Sequence, residues 1–249
     1  MVQRIALAPQ GPEFSRFVMG YWRLMDWNMS PRQLVSFIEE HLDLGITTVD
    51  HADIYGGYLC EAAFGEAMKL APALRERMEI VTKCGIATTA NPDNALGHYI
   101  TDSDHIIKSA EQSLVNLATD RLDLLLIHRP DPLMDADEVA AAFLNLHQSG
   151  KVRHFGVSNF TLRNSHCFSL VCRLRSRPTR LKSPRYTSHC CLMARSISCN
   201  SCVFGLWRGL VSAVAVCSMT TLSSRYVMSS RPLPVNSTPK ASSKSCTPG

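Results

Sequence analysis

Short apolar segments alternate with amphipathic segments along residues 17–160, and this alternation constrains the fold more than any other feature of the sequence. Each apolar segment is rich in Val, Ile and Leu and has the length of a buried strand. The predicted strands are Phe17–Tyr21, Ile46–Val49, Met78–Thr82, Leu122–Ile127 and Val152–Val157. Strands that alternate with helices favour a parallel sheet with right-handed crossovers. The sequence therefore predicts an α/β fold with five identifiable strands.

The segments between the strands carry the start and stop signals of helices. Ser30 can cap free backbone N–H groups, Pro31 is tolerated at a first helical position, and Gly45 suits the residue after a last turn. Further helices are predicted over Glu61–Leu70, Asp102–Ala118 and Asp135–Gln148. A hairpin formed by Arg4–Leu7 and Arg16–Val18 is predicted ahead of the main fold.

Polar side chains follow four of the predicted strands. They are Asp50, Tyr55, Lys83, His128, Ser158 and Asn159. In α/β folds the active site lies at the C-terminal ends of the parallel strands. We therefore expect these side chains to meet at one edge of the sheet.

Their chemistry suits the reduction of a carbonyl group by hydride transfer. The developing alkoxide needs a proton donor, and the pKa of a tyrosine such as Tyr55 is ordinarily about 10, a poor match to neutral pH. A neighbouring Lys83 ammonium lowers that pKa, and Asp50 can hold the lysine through a charge-assisted hydrogen bond. Taken singly each residue has a structural explanation, such as a capped turn for Asp50, but the combination favours a site.

Four ordered motifs carry a family resemblance. They read T-T-V-D-H-A-D-I-Y-G, V-T-K-C-G, D-L-L-L-I-H-R-P-D-P and F-G-V-S-N-F. Together they resemble the successive signatures of the aldo-keto reductases, and residues 1–160 are most similar to a bacterial oxidoreductase branch of that family. The resemblance implies an eight-stranded TIM-type β/α barrel that uses NADPH, without a metal, to reduce a small-molecule carbonyl substrate.

The resemblance also implies a role for each residue at the strand ends. Tyr55 would be the general acid, with Lys83 and Asp50 as its tuning pair, and His128 would orient the substrate. The positions that bind the nicotinamide carboxamide correspond to Ser158 and Asn159. His51 stands where the family often has threonine and receives no role. The alternative is a non-catalytic relative that binds nucleotide and acts through a protein partner, as channel-associated relatives do.

Residues 161–249 differ sharply in composition from residues 1–160. They contain no Asp or Glu but 13 Lys or Arg, 18 Ser and 8 of the 10 Cys, whereas residues 1–160 hold all 21 acidic residues and 13 basic ones. The formal charge is thus −8 in the first part and +13 in the second. Folded domains normally mix both signs on their surfaces.

This composition favours a shift of reading frame near Thr161. All Asp and Glu codons begin with the same two bases, so a shifted frame can lose both residues at once. The resemblance also implies a glutamine on a sixth strand and a Gly-Ser-x-Lys/Arg loop for the cofactor phosphates, and the tail supplies neither. We therefore expect two parts. Residues 1–160 are the N-terminal part of a barrel, and residues 161–249 are an aberrant basic, Ser/Arg/Cys-rich tail that is irregular or disordered and not a domain.

The residues of the tail also suggest two binding functions, as alternatives to a frame shift. Cys199 and Cys202, with His189 and the adjacent Cys190-Cys191, have the residue types of a zinc site, but their spacing fits no usual zinc ribbon. The basic segment Arg173–Arg185 can attract nucleic acid electrostatically, yet the same composition follows from the frame shift. The sequence therefore predicts neither metal nor nucleic acid as a ligand.

Two segments of the sequence bear on the cellular location of the protein. Met1–Pro12 lacks the apolar segment of a signal peptide, and the apolar run Gly209–Cys217 is too short to cross a bilayer. The expectation is a cytoplasmic protein with reduced thiols and no membrane contact. The substrate and the oligomeric state stay open.

Overall fold

A computed structural model describes residues 2–7, 12–160, 204–205 and 214–217 of the chain. The strands are β1 (Arg4–Ala6), β2 (Glu13–Ser15), β3 (Val18–Gly20), β4 (Thr48–Asp50), β5 (Glu79–Cys84), β6 (Ile86–Ala87), β7 (His98–Tyr99), β8 (Leu122–Ile127), β9 (Val152–Ser158), β10 (Phe204–Gly205) and β11 (Val214–Cys217). The α-helices are α1 (Pro31–Asp43), α2 (Cys60–Leu70), α3 (Ser103–Asn116) and α4 (Ala136–Gln148), and short 3-10 helices cover Leu24–Trp27 and Pro72–Arg77.

Five strands form a parallel sheet in the order β3, β4, β5, β8, β9. This order follows the chain, as it does in a β/α barrel that adds one strand per crossover helix. On the far side of β9 the sheet continues with β11 and then β10, both antiparallel to their neighbours. The sequence did not predict these two strands, and the next strand of a TIM-type barrel would be parallel to β9.

The helices begin where the sequence predicts. Ser30 accepts a hydrogen bond from the Gln33 N–H, and the Gln33 side chain accepts one from the Ser30 N–H, which completes a capping box. Asp102 and Asp135 cap α3 and α4 with their carboxylates, which accept backbone N–H groups of the first turn. Gly45, with a φ of 85°, follows the end of α1 in the left-handed region that glycine tolerates best.

Apolar side chains fill both faces of the parallel sheet. The larger cluster lies between the sheet and the four helices. The smaller one lies on the opposite, inner face, where Leu7 and Phe14 of the β1–β2 hairpin pack against Val81, Leu124 and Leu126. The hairpin sits at the N-terminal ends of the strands, and the inner face at the C-terminal ends is left to polar residues.

The structure corrects two sequence predictions and adds a hairpin that the sequence did not predict. The second hairpin strand is Glu13–Ser15 rather than Arg16–Val18, because the Leu7 N–H bonds to the Pro12 carbonyl at 3.0 Å and shortens the connection. The strand at Val18–Gly20 is half-buried to exposed rather than buried, since among the described residues it pairs only with β4. The β6–β7 hairpin was missed, because two-residue strands are too short to produce a periodic pattern.

Candidate active site

The inner face of the sheet brings predicted site residues together through the alternation of side chains along each strand. Successive strand residues point to opposite faces. Lys83 therefore shares a face with the inner-core residue Val81, and His128 shares one with Leu126. Asp50, the last residue of β4, is 5% exposed, and its side chain meets that of Lys83.

Lys83 is the centre of this arrangement. Its ammonium donates to Asp50 Oδ1 at 2.7 Å, to the His51 carbonyl at 2.8 Å and to Tyr55 Oη at 3.0 Å. The residue is 1% exposed, and these three bonds use all three N–H groups of its ammonium. A buried cation is thereby fully paired, as burial of a charge requires.

The hydrogen bond between Lys83 and Tyr55 fixes the direction of the phenol proton. An ammonium has no acceptor, so Tyr55 Oη must be the acceptor of this bond. The Tyr55 hydroxyl proton consequently points away from Lys83. It is available to an acceptor at the inner face.

The pKa of Tyr55 differs from the sequence expectation. Burial of the half-buried Tyr55 raises the pKa of its phenol above the ordinary value, and this effect outweighs the opposing charge and hydrogen bond of Lys83. Burial likewise raises the pKa of the Asp50 carboxyl, again opposed by Lys83. Lys83 therefore acts in the expected direction, but burial decides the net shift of the Tyr55 pKa, and the phenol stays protonated at neutral pH.

His128 lies beside the phenol with its ring edge-on to that of Tyr55, at 5.9 Å between centroids and 79° between planes. Burial, together with the charges of Lys83 and Arg129, lowers the pKa of His128 to about 3. The imidazole is therefore neutral at pH 7 and can donate one N–H. The backbone N–H of His128 donates to the Cys84 carbonyl at 2.8 Å, which fixes the backbone at this position.

Ser158 and Asn159 lie at the end of the neighbouring strand, and Asn159 contacts His128. The Asn159 amide donates to the His128 carbonyl at 2.9 Å and to Ser158 Oγ at 3.2 Å. Asn159 has a φ of 63°, a left-handed conformation that Asn adopts more readily than most residues. Ser158 is fully buried, whereas Asn159 is exposed.

Behind Lys83 lies a second layer of aromatic side chains that the sequence did not predict. Fully buried His51, whose carbonyl binds Lys83, stacks on Tyr21 at 4.9 Å between ring centroids and 5° between planes. His41 Nδ1 donates to the Ile46 carbonyl at 2.7 Å, so its Nε2 accepts the Tyr21 hydroxyl at 2.9 Å. The only sequence signal was position, because Tyr21 and His51 each directly follow a strand.

The described residues show neither a metal-binding cluster nor a membrane-spanning helix. In that part of the chain, no three His, Cys, Asp or Glu side chains are grouped to hold a metal ion. None of its helices has the length and apolar character needed to cross a membrane. The cysteine-rich and basic segments considered for zinc and nucleic acid, 189–202 and 173–185, lie outside the described residues.

The chain is similar in sequence to proteins named as oxidoreductases or reductases. Oxidoreductase YdhF of Escherichia coli is 88% identical over 161 residues, which cover 65% of this chain and 54% of that protein. A 6-dehydroglucose reductase of Agrobacterium fabrum is 51% identical over 162 residues, covering 64% and 54%. The chain thus spans about half the length of these relatives.

Among solved structures, the glycerol dehydrogenase AKR11B4 of Gluconobacter oxydans matches with a TM-score of 0.57 and 31% identity, over 68% of this chain and 52% of that one. The relatives bear out the bacterial oxidoreductase branch that the motifs indicate. The model of the aldo/keto reductase family matches residues 16–166. With more than half of its length matched in this way, the chain belongs to the aldo/keto reductase family.

Proposed function

We propose that the residues at the strand ends reduce an aldehyde or ketone to an alcohol, with NADPH as the hydride source and Tyr55 as the general acid. The observation that carries the proposal is the contact of 3.0 Å between Lys83 Nζ and Tyr55 Oη, with Asp50 bound to the same ammonium. A protonated phenol whose proton points away from a buried cation is a proton donor held in one orientation.

Each side chain then has a separate task. Tyr55 donates its proton to the carbonyl oxygen as negative charge develops there. The Lys83 ammonium stabilises the phenolate that remains, and Asp50 keeps Lys83 in position. Neutral His128, beside Tyr55, donates an N–H to the same carbonyl oxygen and orients the substrate.

The groups around Ser158 fit the nicotinamide end of the cofactor. A carboxamide needs one acceptor and one donor, and the Ser158 hydroxyl and the Asn159 amide supply both types. When bound, NADPH supplies the hydride that adds to the carbonyl carbon. We therefore propose that Ser158 and Asn159 bind the carboxamide. The preference for NADPH over NADH rests on the family resemblance alone.

The non-catalytic alternative is not favoured. A protein that only binds nucleotide has no need for a buried lysine that contacts both a carboxylate and a phenol. The two relatives described above are named for oxidoreductase or reductase activity. The name of the Agrobacterium relative makes 6-dehydroglucose a first substrate to assay, beside simple aldehydes.

We further propose that the chain has two parts of different origin. Residues 1–160 are the N-terminal part of a reductase barrel, and residues 161–249 are an out-of-frame tail that does not form a domain. The end of the family match at residue 166 and the absence of Asp and Glu from the tail support this division. On this proposal the catalytic residues are present, but the elements that hold the cofactor phosphates are not.

The catalytic proposal is tested in protein made from a gene whose reading frame is restored near codon 161. Tyr55→Phe should lower kcat for aldehyde reduction about 100-fold or more, the range expected for a general acid. NADPH affinity, measured by fluorescence titration, should stay the same because the ring and its surroundings are kept. Reduction at an undiminished rate in the Tyr55→Phe protein would remove Tyr55 from the mechanism.

A further inference from the structure

Tyr55 lies in a segment of turns, residues 51–59, that joins β4 to α2. The Tyr55 N–H donates to the Ala52 carbonyl at 3.1 Å, and the Leu59 N–H donates to the Tyr55 carbonyl at 3.2 Å. These bonds lie within the segment, so they shape it without fixing it against the barrel wall. The position of the phenol therefore depends on the groups that tether the segment to its surroundings.

Asp53 provides such a tether to the outer helix α3. Its Oδ2 accepts the Ser109 hydroxyl at 2.9 Å, and its Oδ1 accepts the Ile54 N–H at 2.8 Å. Its own N–H donates to the Lys83 carbonyl at 3.1 Å. One residue thus connects α3, β5 and the segment that carries Tyr55.

The tether acts on the same lysine that contacts the phenol. The Lys83 carbonyl binds the Asp53 N–H, while the Lys83 ammonium binds Tyr55 Oη. If Asp53 left Ser109, the segment would lose its attachment to α3 only two residues before Tyr55. The alignment of Tyr55 with Lys83 would then rest on the hydrogen bond between their side chains and on the backbone bonds of the segment to β5, without support from α3.

We propose that Asp53 is a positioning residue that holds the Tyr55 phenol against Lys83 by binding Ser109 of α3. The importance of this alignment for catalysis rests on the function proposed above. The tether itself is a property of the fold, and it can be measured without substrate.

The surroundings of Asp53 make the tether sensitive to pH. Glu61 of α2 faces it with a second carboxyl, β5 contributes Lys83 and the Cys84 thiol, and α3 contributes the neutral Ser109. Burial raises the pKa of the Asp53 carboxyl, Glu61 adds to this effect, and the Ser109 and Ile54 hydrogen bonds and the Lys83 charge oppose it. The net result is a pKa of about 7.

The direction of the pH effect follows from linkage between proton binding and opening of the segment. In an open segment the Asp53 carboxyl is in water, and its pKa returns to about 3.8. The closed segment therefore binds the proton more tightly, and raising the pH favours opening. The open fraction should rise by up to about tenfold per pH unit between about pH 4 and 7 and level off above pH 7.

Hydrogen–deuterium exchange of the full chain tests this tether, after correction for the intrinsic pH dependence of amide exchange. In the wild type, protection of residues 51–59 should fall from pH 4 to pH 7. Asp53→Asn can still accept the Ile54 N–H and can bond to Ser109, so it should keep the protection and lose most of the pH dependence. Ser109→Ala removes the donor, so protection should already be low at pH 5.

Asp102→Asn is the matched control. Asp102 is an exposed carboxylate that caps the same helix by accepting the His105 N–H at 2.8 Å, and its replacement should leave exchange of residues 51–59 unchanged. Wild-type pH dependence in Asp53→Asn, or wild-type protection in Ser109→Ala, would overturn the proposal.

A kinetic measurement separates this proposal from the proposed function. In the frame-restored protein, Ser109→Ala should lower kcat with little change in KM, because the acid is misaligned while the substrate contacts remain. The exchange experiment uses neither substrate nor NADPH. A failure of carbonyl reduction would therefore leave the exchange result standing, and a failure of the tether would leave the assignment of Tyr55 as the acid intact.

Discussion

At the scale of single residues, Lys83 gives its three ammonium hydrogens to three oxygen atoms, one of which belongs to the buried Asp50 carboxylate. Lys83→Met removes the cation and leaves Asp50 enclosed without its partner. Removing one side of a buried ion pair costs about 3–5 kcal/mol. We expect urea denaturation to show a loss of that order in the free energy of unfolding.

Lys69→Met is the control for this prediction. Lys69 and Glu66 are also 2.7 Å apart, but both side chains are 58% exposed. An exposed pair contributes less than about 1 kcal/mol, so Lys69→Met should change stability little. Similar losses for the two variants would contradict the importance of burial at Lys83.

His51 gives a second prediction at this scale, for acid solution. Burial, with a smaller contribution from the Lys83 charge, lowers the pKa of fully buried His51 from the usual 6.5 to about 3. Between those values the unfolded chain binds more protons than the folded one, so stability falls as the pH falls from 6.5 towards 3. The slope is about 1.4 kcal/mol per pH unit for one histidine.

The variant His51→Phe isolates this contribution, because Phe keeps an aromatic ring to stack on Tyr21 and removes the titrating nitrogens. In urea denaturation from pH 7 to pH 4, the wild type should lose stability relative to the variant as the pH falls. The comparison between the two proteins cancels the opposite trend of Asp53, which is unchanged in both. Parallel pH curves would show that His51 does not titrate in this way.

At the scale of elements, helices α2 and α3 approach each other closely at Gly65. A Cβ on Gly65 would lie 1.9 Å from the Asn116 carbonyl oxygen, which belongs to the backbone and cannot move alone. Gly65→Ala should therefore lower the free energy of unfolding by about 1–3 kcal/mol, although Ala is the better helix former. At Gly20 a Cβ would meet nothing within 4 Å, so Gly20→Ala should leave stability unchanged or slightly raised. A stabilised Gly65→Ala protein would contradict the close helix contact.

The elements also explain which features the sequence could predict. The helix starts at Ser30, Asp102 and Asp135 were predictable because capping is a local interaction. The meeting of Asp50 with Lys83 was predictable because parallel strands end at one edge. The net pKa shift of Tyr55 and the tether from Asp53 to Ser109 were not, because both depend on distances between segments far apart in sequence.

At the scale of the whole molecule, the proposed frame shift predicts a separation between catalytic geometry and cofactor affinity. Translation of the gene one base over from near codon 161 should yield a strand with a glutamine and a Gly-Ser-x-Lys/Arg loop. The frame-restored protein should then bind NADPH in a fluorescence titration, whereas the 249-residue chain should bind it far more weakly, because residues 1–160 offer it only carboxamide contacts. Equal affinity in the two proteins, or no reading frame that encodes these elements, would rule out the proposed origin of the tail.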